Sequence, residues 1–309
     1  MTSVQIVILG GRGTVGSAIA AAAGERATKA ARRPVASGTL PFDALTDDVT
    51  RLLEAMKAPP KAVVIAFGIS GVHTCASDPV ASARLNVDRV LAVAASAAKC
   101  GTLPVLFSTD CVFDGTPVLW SEQDEPKPIC EYGRQKLAAE RAVAQLGVPH
   151  LVIRLSRVVA DHARRRDILY QWCDRIRRGA AIPLPTDQLF TPIAAADLGR
   201  IAVALIDADV RGLINVAGPE QVSTPMLFDM LCDAIRGLGL TVPLKRDVCR
   251  VSDLPGFDRR PASTMLSIKH LERTIAPWFT PLPDIVRSVA SSAFAPAIER
   301  EQAGTIAQS

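Results

Sequence analysis

The chain has 309 residues, 49% of them hydrophobic and 21% charged, with a net charge of +4; this suits one large globular domain or two modest ones and gives no argument for a nucleic-acid partner. No run of about 18 apolar residues suggests a membrane span, and no basic leader precedes an apolar signal core, so a cytoplasmic protein is expected. Seven cysteines, odd in number and without a C-x-x-C pair, argue against a disulfide framework or a metal site.

The first strand runs to Leu9 and is followed by Gly10-Gly11-Arg12-Gly13-Thr14-Val15-Gly16 and then by small residues that suit a helix. Gly10, Gly13 and Gly16 stand three apart. In a strand–turn–helix context they permit the turn, the approach of a pyrophosphate and close helix packing, with the helix N-terminus facing the phosphates. Further strands are expected at 27–31, 62–66, 104–108, 151–155 and 212–217. Helices are expected at 17–24, 46–56, 79–100 and 131–146, with another starting near Thr224. Alternation of this kind predicts an α/β fold: a doubly wound parallel sheet, a Rossmann domain over 1–178 with a returning strand at 212–217. Prolines and glycines at 179–192 and 243–261 mark an interleaved substrate lobe over 179–292, and 293–309 reads as a frayed tail.

An acidic residue at the end of the second strand would favour NAD. Here stand Lys29, Arg32 and Arg33, and Arg12 lies in the glycine loop, so NADP is expected over NAD. Asp43 either bonds to adenine or its neighbouring backbone, or caps a helix. The arginine clusters at 164–166 and 175–178 read as solvated faces.

Tyr132 and Lys136 are four apart on one helical face. Lysine there lowers the phenol's pKa and holds a ribose hydroxyl, and the phenol exchanges a proton with a carbonyl. Upstream, Thr109 or Ser108, at the carboxyl end of a buried strand, holds the substrate oxygen.

With these motifs, plus Arg154-Leu155-Ser156, Thr191-Pro192, Asp197-Leu198 and Arg260-Pro261, the chain resembles the extended short-chain dehydrogenase/reductases, and more narrowly the dTDP-4-dehydrorhamnose reductases. The resemblance implies a catalytic trio of Thr109, Tyr132 and Lys136, and a nucleotide-sugar substrate with no membrane partner. It allows a homodimer. It also implies that Asn86 organises the active-site backbone or a proton relay, the alternative being an ordinary polar helix position, and that Ser108, Cys111, Arg157 and Arg260 face the substrate; Ala66, Phe67 and Gly68 stand where the family has Asn-Ala-Ala beneath the nicotinamide, a departure that leaves backbone contacts to it. Arg260 either reaches the diphosphate or pairs within the lobe. His73 faces either the sugar or solvent. Cys111 and Arg157 depart from the family, which has tyrosine and tryptophan there, so the sugar should be held differently. The implied activity is NADPH-dependent reduction of a keto group on a nucleotide-linked deoxysugar. The alternatives are a nucleotide-sugar epimerase or dehydratase, and a non-catalytic NADP-binding subunit like the regulatory subunit of methionine adenosyltransferase.

Overall fold

The four residues Ile6–Leu9 form strand β1, and all four are buried. Successive side chains point to opposite faces of a strand. Accordingly Ile6 and Ile8 enter one apolar layer and Val7 and Leu9 the other. A computed structural model describes residues 5–33, 38–160, 167–256 and 258–306, the last eleven as backbone. The chain alternates strand and helix through β1, α1 (Thr14–Ala23), β2 (Ala27–Ala31), β3 (Thr39–Pro41), α2 (Val49–Glu54) and β4 (Ala62–Ile65). It continues through α3 (Val72–Ser77), α4 (Pro79–Ala83), α5 (Val90–Lys99), β5 (Leu103–Thr109), α6 (Glu131–Gln145) and β6 (Leu151–Leu155). A π-helical turn, Arg84–Arg89, joins α4 to α5, so the helix expected over 79–100 is continuous but carries a bulge.

Beyond β6 come β7 (Val158–Val159), α7 (Ile168–Arg177), β8 (Ile182–Pro185), β9 (Leu189–Phe190) and β10 (Ile193–Ala194). Helix α8 (Ala195–Asp207) then returns the chain to the sheet as β11 (Gly212–Val216). The order β3-β2-β1-β4-β5-β6-β11 makes a seven-stranded sheet, parallel throughout. Its winding reverses between β1 and β4, which opens a crevice at the carboxyl ends of those strands. Helices α1 and α8 cover one face, and α2, α5 and α6 the other. At the α1–α8 contact a Cβ on Gly199 would stand 2.4 Å from the Ala18 carbonyl oxygen.

The smaller lobe holds β12 (Val222–Ser223), α9 (Thr224–Gly237), β13 (Arg246–Cys249), β14 (Ser263–Thr264) and α11 (Leu282–Ile306), while α10 (Lys269–Thr274) packs back under the sheet. Two expected boundaries move. Leu169, Trp172, Cys173 and Ile176 of α7 pack with Phe228 and Val286 in the lobe's own core, so α7 belongs to the lobe although it precedes residue 179. Nor does the chain fray at 293: it continues as α11, with Ala293 and Phe294 buried in that core. Strand β3, an exposed edge strand ending on Pro41, was not expected at all.

The motif residues outside the crevice stitch the two parts together. Thr191 N–H donates to Ser156 Oγ at 3.3 Å, and Leu266 N–H donates to Thr191 Oγ1 at 3.1 Å. Buried Asp197 accepts from Thr280 N at 2.7 Å and Thr280 Oγ1 at 2.9 Å. No helix among the described residues is long and apolar enough to cross a membrane.

Candidate active site

The crevice holds a cleft of about 660 Å³. Its floor is the glycine loop. Gly10 has φ +87°, and a Cβ there would stand 2.7 Å from the Ala66 carbonyl oxygen. A Cβ on Gly16 would meet the Gly10 carbonyl oxygen at 2.5 Å, whereas on Gly13 the nearest atom is 3.5 Å away. Gly10 and Gly16 therefore let the loop close on itself and on β4. Gly13, the N-cap of α1, leaves its outer side open at a helix N-terminus, which suits a pyrophosphate.

Across the cleft, Asn86 sits in the π turn, 1% exposed. Its Nδ2 donates to Ile69 O at 3.0 Å and to Gln135 Oε1 at 2.9 Å, while its Oδ1 accepts from Ile69 N at 2.8 Å. It thus pins the loop after β4, where Gly68 approaches so closely that a Cβ would lie 3.0 Å from Asn86 Oδ1. This is the backbone-organising role expected of Asn86. Gln135 extends the network to Ser82 Oγ, at 2.8 Å. Sequence reasoning missed Gln135, although it lies inside the Tyr132–Lys136 motif.

Helix α6 is brought to the end of β5 by a second close approach. A Cβ on Gly133 would stand 2.0 Å from the Cys111 carbonyl oxygen. Only glycine lets the helix lie against this turn, and the approach brings Tyr132 to the end of β5, where Thr109 is among the groups acting on its phenol. Cys130 Sγ caps the helix by accepting from Gly133 N at 3.4 Å, and it is hydrogen-bonded to Cys111. Thr109 Oγ1 donates to Asp110 Oδ1 at 2.9 Å. Tyr132, Lys136 and Ser108 line the cleft, while Thr109 reaches it through Tyr132. Ser108 Oγ is buried and lacks a hydrogen-bond partner, which suits a ligand oxygen.

The electrostatics depart from expectation. Burial pushes the Tyr132 phenol far above its usual range, and Cys111 and Asp110 add to the shift. Lys136 shares this buried environment. Burial lowers Lys136 to about 8, against the opposing pull of Glu140. Glu140 is largely engaged by Arg154, which donates to both its oxygens at 3.0 and 2.7 Å.

At the adenosine end, Arg12 Nη1 donates to the Arg33 carbonyl at 3.0 Å, gathering Arg12, Arg32 and Arg33 at one exposed corner. Asp43 turns instead into its own loop, accepting from Leu45 N at 3.0 Å, and the following helix α2 is capped by Asp48, not by Asp43. Arg12, Gly13, Thr14, Val15, Ala66, Phe67 and Gly68 line the cleft as expected; Asp167, Phe107, Leu155 and Val158 line it unforeseen. Asp167 caps α7 by accepting from Leu169 N at 2.8 Å, and no local motif ties it to β5. Cys111 and Arg157 lie beside Asp110. Arg260 Nη2 donates to Pro255 O at 3.3 Å. His73 is exposed on α3. Arg175 donates to Ala181 O and Arg178 pairs with Asp174, as expected of a solvated face; 164–166 lie outside the described residues.

A parallel sheet with this glycine floor, and a Tyr–Lys pair over the crevice, defines a nicotinamide-dinucleotide-binding protein of the extended short-chain dehydrogenase/reductase type. The RmlD substrate binding domain family matches residues 4–291, and the chain belongs to that family. A dTDP-4-dehydrorhamnose reductase of Sinorhizobium fredii is 31% identical over 230 residues, covering 70% of this chain and 75% of that protein. The dTDP-4-dehydrorhamnose reductase of Bacillus anthracis, solved in complex with NADP, has the same fold (TM-score 0.76, 18% identity, 92% and 98% of the two chains). So does MoeE5, solved with UDP-glucose and NAD (TM-score 0.81, 18% identity, 95% and 99%).

Proposed function

We propose that this protein reduces a keto group on a nucleotide-linked deoxysugar, using NADPH. The observation that carries this reading is the convergence of Tyr132, Lys136 and the unpartnered Ser108 hydroxyl on a cleft floored by a glycine loop. The nicotinamide, when bound, supplies the hydride. Ser108 holds the substrate carbonyl, and Tyr132, kept neutral by burial, donates the proton to its oxygen. Thr109 orients the phenol. Lys136 holds a ribose hydroxyl and balances the negative charge left on the phenol as its proton leaves. Asn86 keeps the loop beneath the ring in place.

The test is incubation of the purified protein with NADPH and a panel of nucleotide-linked 4-keto sugars, following loss of nicotinamide absorbance. Oxidation with any of them supports the reductase. Sugar interconversion without net NADPH consumption marks an epimerase, and tight NADPH binding with no turnover marks a non-catalytic subunit.

Preference for NADPH over NADH rests on Arg12, Arg32 and Arg33, which crowd one exposed corner at the end of β2 and would meet a 2′-phosphate there. Charge-assisted hydrogen bonds to that phosphate are worth roughly 1.5–3 kcal/mol each, so binding titrations should give NADPH an advantage of about tenfold or more. Arg32→Ala with Arg33→Ala should remove most of it. Equal affinity for both cofactors in the unaltered protein would refute the preference.

A further inference from the structure

Arg157 stands two residues beyond β6, where the cleft meets the lobe. Its carbonyl accepts from Ile193 N at 2.9 Å, which fixes the root of the side chain. Its guanidinium lies over the Phe190 ring, 4.7 Å from the centroid. Its Nε is buried and has no hydrogen-bond partner. The charged and titratable groups around it are Asp110, Cys111, Asp167 and Arg260. Both carboxylates are engaged elsewhere. Asp110 accepts from Thr109 Oγ1 and Cys111 Sγ, while Asp167 accepts from the backbone N–H groups of Ala160, Leu169 and Tyr170. Arg154, one strand-end away, is bidentate to Glu140; Arg157 makes no ion pair among the described residues. The chain thus places a second guanidinium, its Nε unsatisfied, beside the cleft-lining residues Leu155 and Val158.

An unmatched buried donor is unfavourable until an acceptor arrives, and the guanidinium fork matches a carboxylate in geometry and charge. We propose that Arg157 binds a carboxylate carried by the sugar of the nucleotide-linked substrate, so that the protein prefers acidic sugars to neutral ones. This rests on the reading of the cleft as a nucleotide-sugar site and narrows it. Position argues for the sugar over the diphosphate. Leu155 and Val158, which flank Arg157 in the chain, line the cleft together with Tyr132 and Ser108, whereas the glycine loop that suits the pyrophosphate follows β1.

The test is equilibrium binding to the NADP-loaded protein of a glucose ester, a glucuronic acid ester and the bare nucleotide, in both UDP and dTDP forms. One charge-assisted contact predicts that the glucuronic acid ester binds about tenfold or more tightly than the glucose ester. Arg157→Met should abolish that difference while sparing the bare nucleotide, and Arg157→Lys should retain part of it. Unchanged NADP binding reports that both variants fold. Equal affinity for the two esters, failure of the glucuronic acid ester to bind, a ratio unchanged in Arg157→Met, or a loss confined to the bare nucleotide overturns the proposal. Turnover of keto sugars, measured separately, distinguishes this failure from failure of the reductase reading. Reduction of neutral keto sugars without any acid preference removes the Arg157 proposal alone.

Discussion

Tyr132→Phe is expected to lower turnover of the preferred keto sugar by about two to four decades, the usual contribution of a positioned general acid. Phenylalanine keeps the ring and its packing on the cleft wall, so NADPH binding should survive. Losing the hydroxyl alone should change stability by only about 1 kcal/mol. The sign of the phenol's shift matters for the pH profile. Burial raises it, so the acid form persists through neutral and mildly alkaline pH. The alkaline limb of kcat therefore belongs to Lys136, which loses its proton near 8. Steady-state kinetics on the variant, with its NADPH affinity measured in parallel, check both statements. Normal turnover by Tyr132→Phe would remove the phenol from the chemistry.

The parts of this site that were legible in the sequence are those with a local cause. A turn that must reach φ +87° and touch the Ala66 backbone demands Gly10, and the adjoining helix demands Gly16. Both can be read from spacing alone. Strand β6 was placed to the residue because its five positions are all buried, and a strand buried on both faces is an unbroken apolar run but for Arg154. What stayed hidden depends on partners distant in sequence. The apolar stripe of α7 is plain, but nothing in it says that it packs on Phe228 rather than on the sheet. Gln135 reads as an ordinary helix position until Asn86 and Ser82 arrive from another helix. Gly133 reads as a weak helix former, although its missing Cβ brings Tyr132 to Thr109. The Tyr132–Lys136 spacing indicates that the two share a face. Which of them is charged depends on burial, and burial reversed the simple expectation for the phenol.

Lys136→Met is expected to stabilise the cofactor-free protein at neutral pH while lowering turnover by at least about two decades. The lysine is 8% exposed, makes no ion pair with a carboxylate among the described residues, and has its pKa lowered from 10.5 to about 8, chiefly by burial. A group depressed by that much opposes folding by about 3 kcal/mol wherever it is charged in the folded chain, since each pKa unit is worth about 1.4 kcal/mol. The penalty is fully present below about pH 8, because the ammonium is then buried. It fades between about 8 and 10.5, where the folded chain holds a neutral amine and the unfolded chain still a charged one. Methionine has a similar length and no charge. Its advantage in denaturant midpoint should therefore be largest at pH 7 and mostly gone by about pH 10.5, with both proteins compared at each pH. The folded protein tolerates this unpaired cation because the cleft needs it, to hold a ribose hydroxyl and to balance charge on the phenol as its proton leaves. A methionine variant less stable than the native protein at pH 7 would show instead that the ammonium is paired within the fold, and the cost of its burial would have to be abandoned.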